Sequence, residues 1–142
     1  IMAYNKKQFR DLVIKVLTKT GFPATENVVS LLLGTAAVES SFGTHLRQLK
    51  GPARGAFQVE GETFNWLKKK YPKYIGADRE ADDLEWDLWL SIVVCRLKYL
   101  SCPGAIPSSL EGQAQYWKKW YNTPLGKGTV DDYLSAYYKY VA

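Results

Sequence analysis

The chain has 142 residues, of which 46% are hydrophobic and 23% are charged, values that are typical of one globular domain. Its two cysteines and single histidine exclude a disulfide-rich scaffold, and they exclude a zinc site built from four Cys and His ligands. The net charge of +5 favours anionic partners such as acidic glycans, nucleic acid or membrane surfaces, and does not select among them.

The first half of the chain is predicted to form two helices followed by a glycine-rich segment. Apolar residues recur at helical spacing over Tyr4–Thr20, where a glycine ends the pattern. Thr25 is predicted to cap a second helix that runs to about Phe42. Glycines and a proline then interrupt the pattern over Gly43–Gly61, and Ala56–Val59 is predicted to be a short extended strand within it.

The second half of the chain is predicted to be helical as well. Four helices are expected: Glu62–Tyr71, Leu84–Leu100, one from the capping-box pattern at Ser108–Glu111 to about Tyr121, and one from Thr129 to about Tyr140. Asp83 is expected to cap the second of these, and its broad apolar surface predicts a central position.

These patterns together predict a single, mainly α domain over residues 1–142, with about six helices and a small extended excursion.

Ile1, which precedes Met2, is expected to be a residue added in cloning. The start of the chain lacks the pattern of a signal peptide, so we expect a cytoplasmic protein or one delivered by another route. No charge-free run reaches the roughly 18 residues of a membrane span. Cys95 and Cys102 are expected to be core residues, and helical spacing would keep them too far apart for a disulfide.

One carboxylate stands out in the second predicted helix. No ionisable residue occurs from Val28 to Val38, which indicates a helix buried on most sides, and Glu39 follows directly. Apolar neighbours on the same face and the nearby helix C-terminus both disfavour a negative charge there, so the pKa of Glu39 should be raised. A carboxylic acid that stays protonated near neutral pH can act as a general acid. The alternative is that Glu39 marks the point where the helix enters solvent.

Three segments of the chain resemble the signature segments of one enzyme family. Glu39-Ser40 ends the buried helix, Gly55-Ala56-Phe57-Gln58 follows in the glycine-rich segment, and Tyr121-Asn122 precedes a glycine-containing turn. In order and setting they resemble the Glu-Ser, Gly-x-x-Gln and Ala-Tyr-Asn-Ala-Gly segments of soluble lytic transglycosylases and goose-type lysozymes. The chain departs from that pattern at Trp120 and at Thr123-Pro124-Leu125, which leaves the shape of the third segment open.

The resemblance covers about residues 28–140 and implies a lysozyme-like fold. It also implies cleavage of β-1,4 bonds between N-acetylmuramic acid and N-acetylglucosamine in bacterial peptidoglycan, with no cofactor or metal. Glu39 would be the general acid and then the base. In lytic transglycosylases the sugar's own 6-hydroxyl attacks the anomeric carbon, which gives a 1,6-anhydro product.

The resemblance further implies supporting roles for other residues. Tyr121 would hydrogen-bond the catalytic carboxyl, and Asn122 would shape the turn or contact sugar. Gln58 and the backbone of Gly55–Phe57 would bind N-acetyl groups. Ser40 matches the family's serine, although it could serve only to end the helix.

Two alternatives retain the same fold. One is hydrolysis, for which Glu60 could position a water or bind sugar, because side-chain parity places it with Gln58 on an extended segment. Glu60 could equally lie at a solvated strand end, with Glu62 as a helix N-terminal acid. The other alternative is a catalytically degenerate, glycan-binding or structural domain.

A nucleic-acid-binding module is a third alternative, because Lys68–Tyr74 and Trp117–Tyr121 mix basic and aromatic residues. The spacing of Trp117, Trp120 and Tyr121, however, predicts one buried helix face with Lys118 and Lys119 on the solvated side. No nucleic-acid partner is therefore expected, and neither His45 nor the cysteines are expected to be catalytic.

The Leu46–Gln58 stretch also resembles small lysozyme-like proteins of tailed bacteriophages. That resemblance implies a virion protein or an endolysin, carried on the phage particle or released from the host cytoplasm, which acts on the wall in the bacterial periplasm. Peptidoglycan glycan strands are the expected partner, together with other virion proteins. The sequence leaves the oligomeric state open.

Overall fold

The structure, a computed structural model, describes residues 3–142 and is mainly helical. The prediction about Ile1 lies outside the described residues. Six α-helices occur in the described part of the chain: α1 (Lys6–Lys19), α2 (Glu26–Ser40), α3 (Gly61–Lys70), α4 (Leu88–Leu100), α5 (Leu110–Tyr116) and α6 (Val130–Tyr140). A 3₁₀ helix (Ala81–Glu85) precedes α4, and a π-helix (Trp117–Asn122) continues α5. None of the described helices combines the length and apolar character needed to cross a membrane.

Helix α2 lies at the centre of the molecule. Its residues from Val28 to Ala37 are all buried, as the charge-free run predicts, and its most extensive packing is against α6. The two helices approach closely at Gly34, where an added Cβ would lie 2.0 Å from the hydroxyl of Tyr133. The predicted N-cap is confirmed, because the side chain of Thr25 accepts a hydrogen bond from the Val28 N–H.

The predicted strand is wrong. No β-strand occurs in residues 3–142, and Ala56–Val59 belongs to a turn closed by paired main-chain hydrogen bonds between Arg54 and Val59. Gln58 has a φ of 49°, a left-handed conformation that an extended strand does not contain. Gly55 has a φ of 84°, and an added Cβ would lie 2.5 Å from the carbonyl oxygen of Leu84. The glycine therefore lets the turn close against the segment before α4.

Two helix boundaries also differ from the predictions. Helix α4 begins at Leu88 and is capped by Asp87, which accepts from the Leu90 N–H, whereas Asp83 belongs to the preceding 3₁₀ helix. The helix predicted to run to Tyr121 changes from α to π geometry at Trp117. The predicted cap of the last helix is confirmed, since Thr129 forms a reciprocal capping box with Asp132.

Candidate functional site

Glu39 occupies the last turn of α2 and is partly buried. Burial raises its pKa from the ordinary value of 4.5 to about 7, because the protein interior solvates a carboxylate less well than water does. A hydrogen bond from Trp117 and the positive charge of Lys98 act in the opposite direction without cancelling the effect of burial. Glu39 is therefore a carboxyl group whose protonated and ionised forms are both accessible near neutral pH.

The backbone turns sharply directly after Glu39. Three consecutive residues have positive φ: Ser41 at 50°, Phe42 at 58° and Gly43 at 84°. The Ser40 hydroxyl spans this turn, donating to a main-chain carbonyl one turn back in α2 (3.0 Å) and accepting from the Gly43 N–H (2.8 Å). Ser40, which the family resemblance placed beside the catalytic group, therefore uses its hydroxyl to fix the end of the helix that holds Glu39.

Trp117 makes the direct side-chain contact with Glu39. Its indole Nε1–H donates to Glu39 Oε2 at 3.0 Å, and its ring is almost fully buried. Gly128 lies against the same ring, since an added Cβ there would be 2.7 Å from Cη2. The spacing of the sequence predicted only a buried helix face for Trp117. The signal that could have identified its role is that a buried indole N–H requires an acceptor.

Lys98 of α4 supplies a second polar group near Glu39. Its Nζ lies 3.6 Å from the centre of the Tyr121 ring and 3.3 Å from the Tyr121 carbonyl oxygen, to which it donates. Within residues 3–142 it forms no ion pair, and burial lowers its pKa while Glu39 raises it. Sequence reasoning missed Lys98, although it is one of only two charged residues in the apolar helix Leu88–Leu100.

Tyr121 does not form the hydrogen bond that the resemblance implied. Its hydroxyl donates to the carbonyl oxygen of Phe57 at 2.8 Å and not to the carboxyl of Glu39. The residue is buried, its ring stacks on Tyr99 with centres 4.9 Å apart, and burial raises the pKa of its hydroxyl. Because Tyr121 lies in the π-helix, a regular α-helix does not predict where its side chain points. Tyr121 thus joins the π-helix to the glycine-rich turn.

The turn over residues 55–58 satisfies many of its own polar groups. The Gln58 side-chain amide donates to the Gly55 carbonyl at 2.9 Å, and the Gln58 main-chain N–H donates to the same oxygen at 3.1 Å. The Phe57 carbonyl already accepts from Tyr121. These contacts stabilise the turn, and the role of Gln58 and this backbone in binding N-acetyl groups stays a prediction.

Glu60 lies outside the groove that opens beside Glu39, although its charge raises the pKa of Lys98. It is exposed and occupies the N-cap position of α3, where its side chain forms no capping hydrogen bond. The parity argument that grouped Glu60 with Gln58 required an extended strand, and the observed turn removes that requirement. Glu62 lies in the first turn of α3, in agreement with the prediction that it is an acid at a helix N-terminus.

A groove of about 490 Å³ opens beside Glu39, between the end of α2, the π-helix and α6. Helix α6 contributes Asp132, Ser135 and Lys139 to one wall, and Trp117 contributes to the other. Asp132 is therefore a second carboxylate on the same groove as Glu39. It was absent from the candidates drawn from the sequence, because no local motif links residue 132 to residue 39.

Asn122 also lines this groove, at the turn that follows the π-helix. Its Oδ1 accepts from Lys118 Nζ at 2.8 Å, and Lys118 donates as well to the Gly126 carbonyl at 2.9 Å. An added Cβ on Gly126 would lie 2.6 Å from Asn122 Oδ1, so a side chain there would disrupt the turn. Asn122 thus shapes the turn, and Lys118 is half-buried within it, contrary to its predicted solvated position; Lys119 is exposed as predicted.

The other reactive side chains, His45, Cys95 and Cys102, do not line the groove beside Glu39. His45 is exposed, and the Cys95 and Cys102 thiols are both free, with burial raising the pKa of each. No cluster of three or more His, Cys, Asp and Glu side chains in the described part of the chain is arranged to hold a metal ion.

Comparisons of the chain with protein-family models, curated proteins and solved structures found no match.

Proposed function

We propose that this protein has a lysozyme-like fold and cleaves β-1,4 glycosidic bonds between N-acetylmuramic acid and N-acetylglucosamine in bacterial peptidoglycan. The observation that supports this proposal most directly is Glu39, a carboxyl group on an open groove with a pKa of about 7. Glycosidic bond cleavage requires an acid that is protonated near neutral pH and can reach the leaving oxygen. The phage resemblance suggests that the enzyme reaches the wall from a virion or from the host cytoplasm.

The surroundings of Glu39 suit both halves of such a reaction. Protonated Glu39 would donate its proton to the glycosidic oxygen as the bond to the anomeric carbon breaks. The carboxylate left behind would be stabilised by the Trp117 N–H and by the positive charge of Lys98. The same carboxylate would then take the proton of the muramic acid 6-hydroxyl as that oxygen attacks the anomeric carbon. The products would be a 1,6-anhydro end and a free 4-hydroxyl, and Glu39 would be protonated again.

Hydrolysis is the second candidate, and Asp132 is the observation that favours it. An inverting hydrolase needs a second carboxylate to activate a water on the opposite face of the sugar. Asp132 shares the groove with Glu39, whereas Glu60 does not. Asp132 also accepts from the Thr129 N–H at 2.9 Å, an interaction that holds its carboxylate in place.

Mass spectrometry of purified peptidoglycan after incubation with the protein tests the proposal. Three proteins are compared: the wild type, Glu39→Gln, and Glu111→Gln as a control that removes an exposed acid from α5. We expect soluble anhydro-muropeptides from the wild type and from Glu111→Gln, and none from Glu39→Gln. Products heavier by one water, with reducing ends, would instead establish hydrolysis, and Asp132→Asn should then abolish them.

Loss of activity in Glu39→Gln has to be separated from loss of structure. Glutamine preserves the shape of the side chain, and its amide oxygen can still accept from Trp117, so the variant should fold. Wall cleavage by Glu39→Gln at the wild-type rate would refute the assignment of Glu39. If no protein released soluble products, the degenerate glycan-binding alternative would replace the proposal, and salt-sensitive affinity for DNA would favour the nucleic-acid alternative.

A further inference from the structure

A second cavity, of about 330 Å³, lies at the opposite end of α2 from Glu39. It is lined by the start of α2, the end of α4 and the loop before α5, including Val28, Arg96 and Ile106. The groove beside Glu39 instead involves residues 37–41 of α2, so the helix separates the two sites. Cavities of this volume are within the range that binds small molecules.

Arg96 is the unusual residue of this cavity. The chain has five arginines, and in residues 3–142 the other four each form an ion pair with an aspartate or glutamate. Arg96 has no such partner and donates no hydrogen bond to a described residue. Its Nε is the one buried side-chain nitrogen or oxygen without a partner in the described part of the chain.

The position of the Arg96 side chain is nevertheless constrained. The guanidinium lies over the Phe22 ring, with Cζ 5.6 Å from the ring centre. The Nε atom of Arg96 is buried. The two Nη atoms have no hydrogen-bond partner among the described residues and are not fully buried, so they retain contact with solvent. Burial lowers the pKa of the side chain, and none of the described residues that line the cavity carries a carboxylate. The protein thus holds a partly desolvated cation at a cavity wall and supplies no counter-ion.

We propose that the Arg96 cavity binds a small molecule with one carboxylate and a short apolar body. The paired Nη–H groups of a guanidinium match the two oxygens of a carboxylate, which makes carboxylate a fitting partner. Val28 and Ile106, together with the ring of Tyr116, provide apolar surface for the rest of the ligand. This binding site is independent of the proposed cleavage reaction and lies at the other end of α2.

The test is a titration of small-molecule probes into the ¹⁵N-labelled full chain. Binding is observed as shifts in the signals of the main-chain amides that line the cavity and of the Arg96 Nε–H. The probes are N-acetylalanine, its neutral amide as the matched control, and inorganic phosphate, all at constant ionic strength. We expect saturable shifts at Arg96, Val28 and Ile106 with N-acetylalanine and no saturable shift with the amide. Arg96→Gln should weaken binding by at least about tenfold, whereas Lys50→Gln, which removes an exposed charge that does not line the cavity, should not change it.

Three outcomes would overturn the proposal: no saturable shift with N-acetylalanine, equal binding of the acid and the amide, or unchanged binding in Arg96→Gln. Saturable binding of phosphate without binding of N-acetylalanine would also overturn it, because it would show that the site does not select a carboxylate. The dispersion of the amide spectrum reports whether Arg96→Gln is folded. Peptidoglycan cleavage is measured separately, so failure at this cavity is distinguishable from failure of the proposed reaction.

Discussion

The raised pKa of Glu39 predicts a pH-dependent effect on stability that requires no substrate. In the folded protein the carboxyl has a pKa of about 7, whereas in the unfolded chain it should have its ordinary value of 4.5. Below pH 4.5 the group is protonated in both states, so it does not penalise folding. Between pH 4.5 and about pH 7 the unfolded chain loses this proton while the folded protein keeps it, so the free energy of unfolding falls as the pH rises. The penalty is complete above about pH 7.

The size of this penalty follows from the two pKa values. At about 1.4 kcal/mol per pH unit, the difference between 4.5 and 7 amounts to about 3 kcal/mol of unfolding free energy. Glutamine at position 39 cannot titrate, so Glu39→Gln should be free of the penalty. Relative to the wild type, the variant should therefore gain about 3 kcal/mol in stability between pH 4 and pH 8.

Urea denaturation followed by tryptophan fluorescence measures this difference at several pH values. Titrating groups that do not interact with Glu39 affect the wild type and the variant alike, so they cancel in the comparison. Glu111→Gln, which removes an acid from an exposed position, is the matched control for this comparison. If the difference between Glu39→Gln and the wild type varied by less than about 0.5 kcal/mol across this range, the reasoning on a buried acid would be refuted.

Three further substitutions test the contacts around Glu39 and the packing of α2. Lys98→Met should raise the pKa of Glu39 further and move the alkaline limit of wall cleavage to higher pH, whereas Lys98→Arg should keep the wild-type pH–rate profile. Tyr121→Phe should lower the unfolding free energy by about 1–2 kcal/mol, because it leaves the Phe57 carbonyl without its donor; an unchanged urea midpoint would contradict this. Gly34→Ala should destabilise the protein by about 1–3 kcal/mol, since its Cβ would lie 2.0 Å from a tyrosine hydroxyl of α6, and thermal unfolding measures this.

Features that depend on local sequence were predictable. The charge-free run before Glu39 predicted a buried helix with a carboxylate at its end, and the structure contains both. The caps at Thr25 and Thr129 were predictable because they depend on residues within one turn. Asp83 was mistaken for the cap of α4 because several acidic residues precede that helix, and propensity does not determine which one accepts from its first turn.

The contacts made by Glu39 could not be predicted in the same way. Trp117 and Lys98 come from the π-helix and from α4, and only packing brings them to the end of α2. The π-helix also has no distinctive sequence pattern, so a regular helix was expected up to Tyr121. The expected strand failed for a different reason: four residues with strand-like composition are too few to determine whether the backbone extends or turns.

The environment of Glu39 combines two opposing effects, and an acid that must also act as a base requires both. Burial alone would keep the carboxyl protonated and make the carboxylate, once formed, unfavourable. The hydrogen bond from Trp117 and the charge of Lys98 both favour the carboxylate, and the balance leaves the pKa at about 7. Lys98 forms no ion pair with Glu39, and such a pair would have lowered the pKa of Glu39 too far for proton donation. A group poised in this way can release a proton to a leaving oxygen and recover one from an attacking hydroxyl without a second carboxylate.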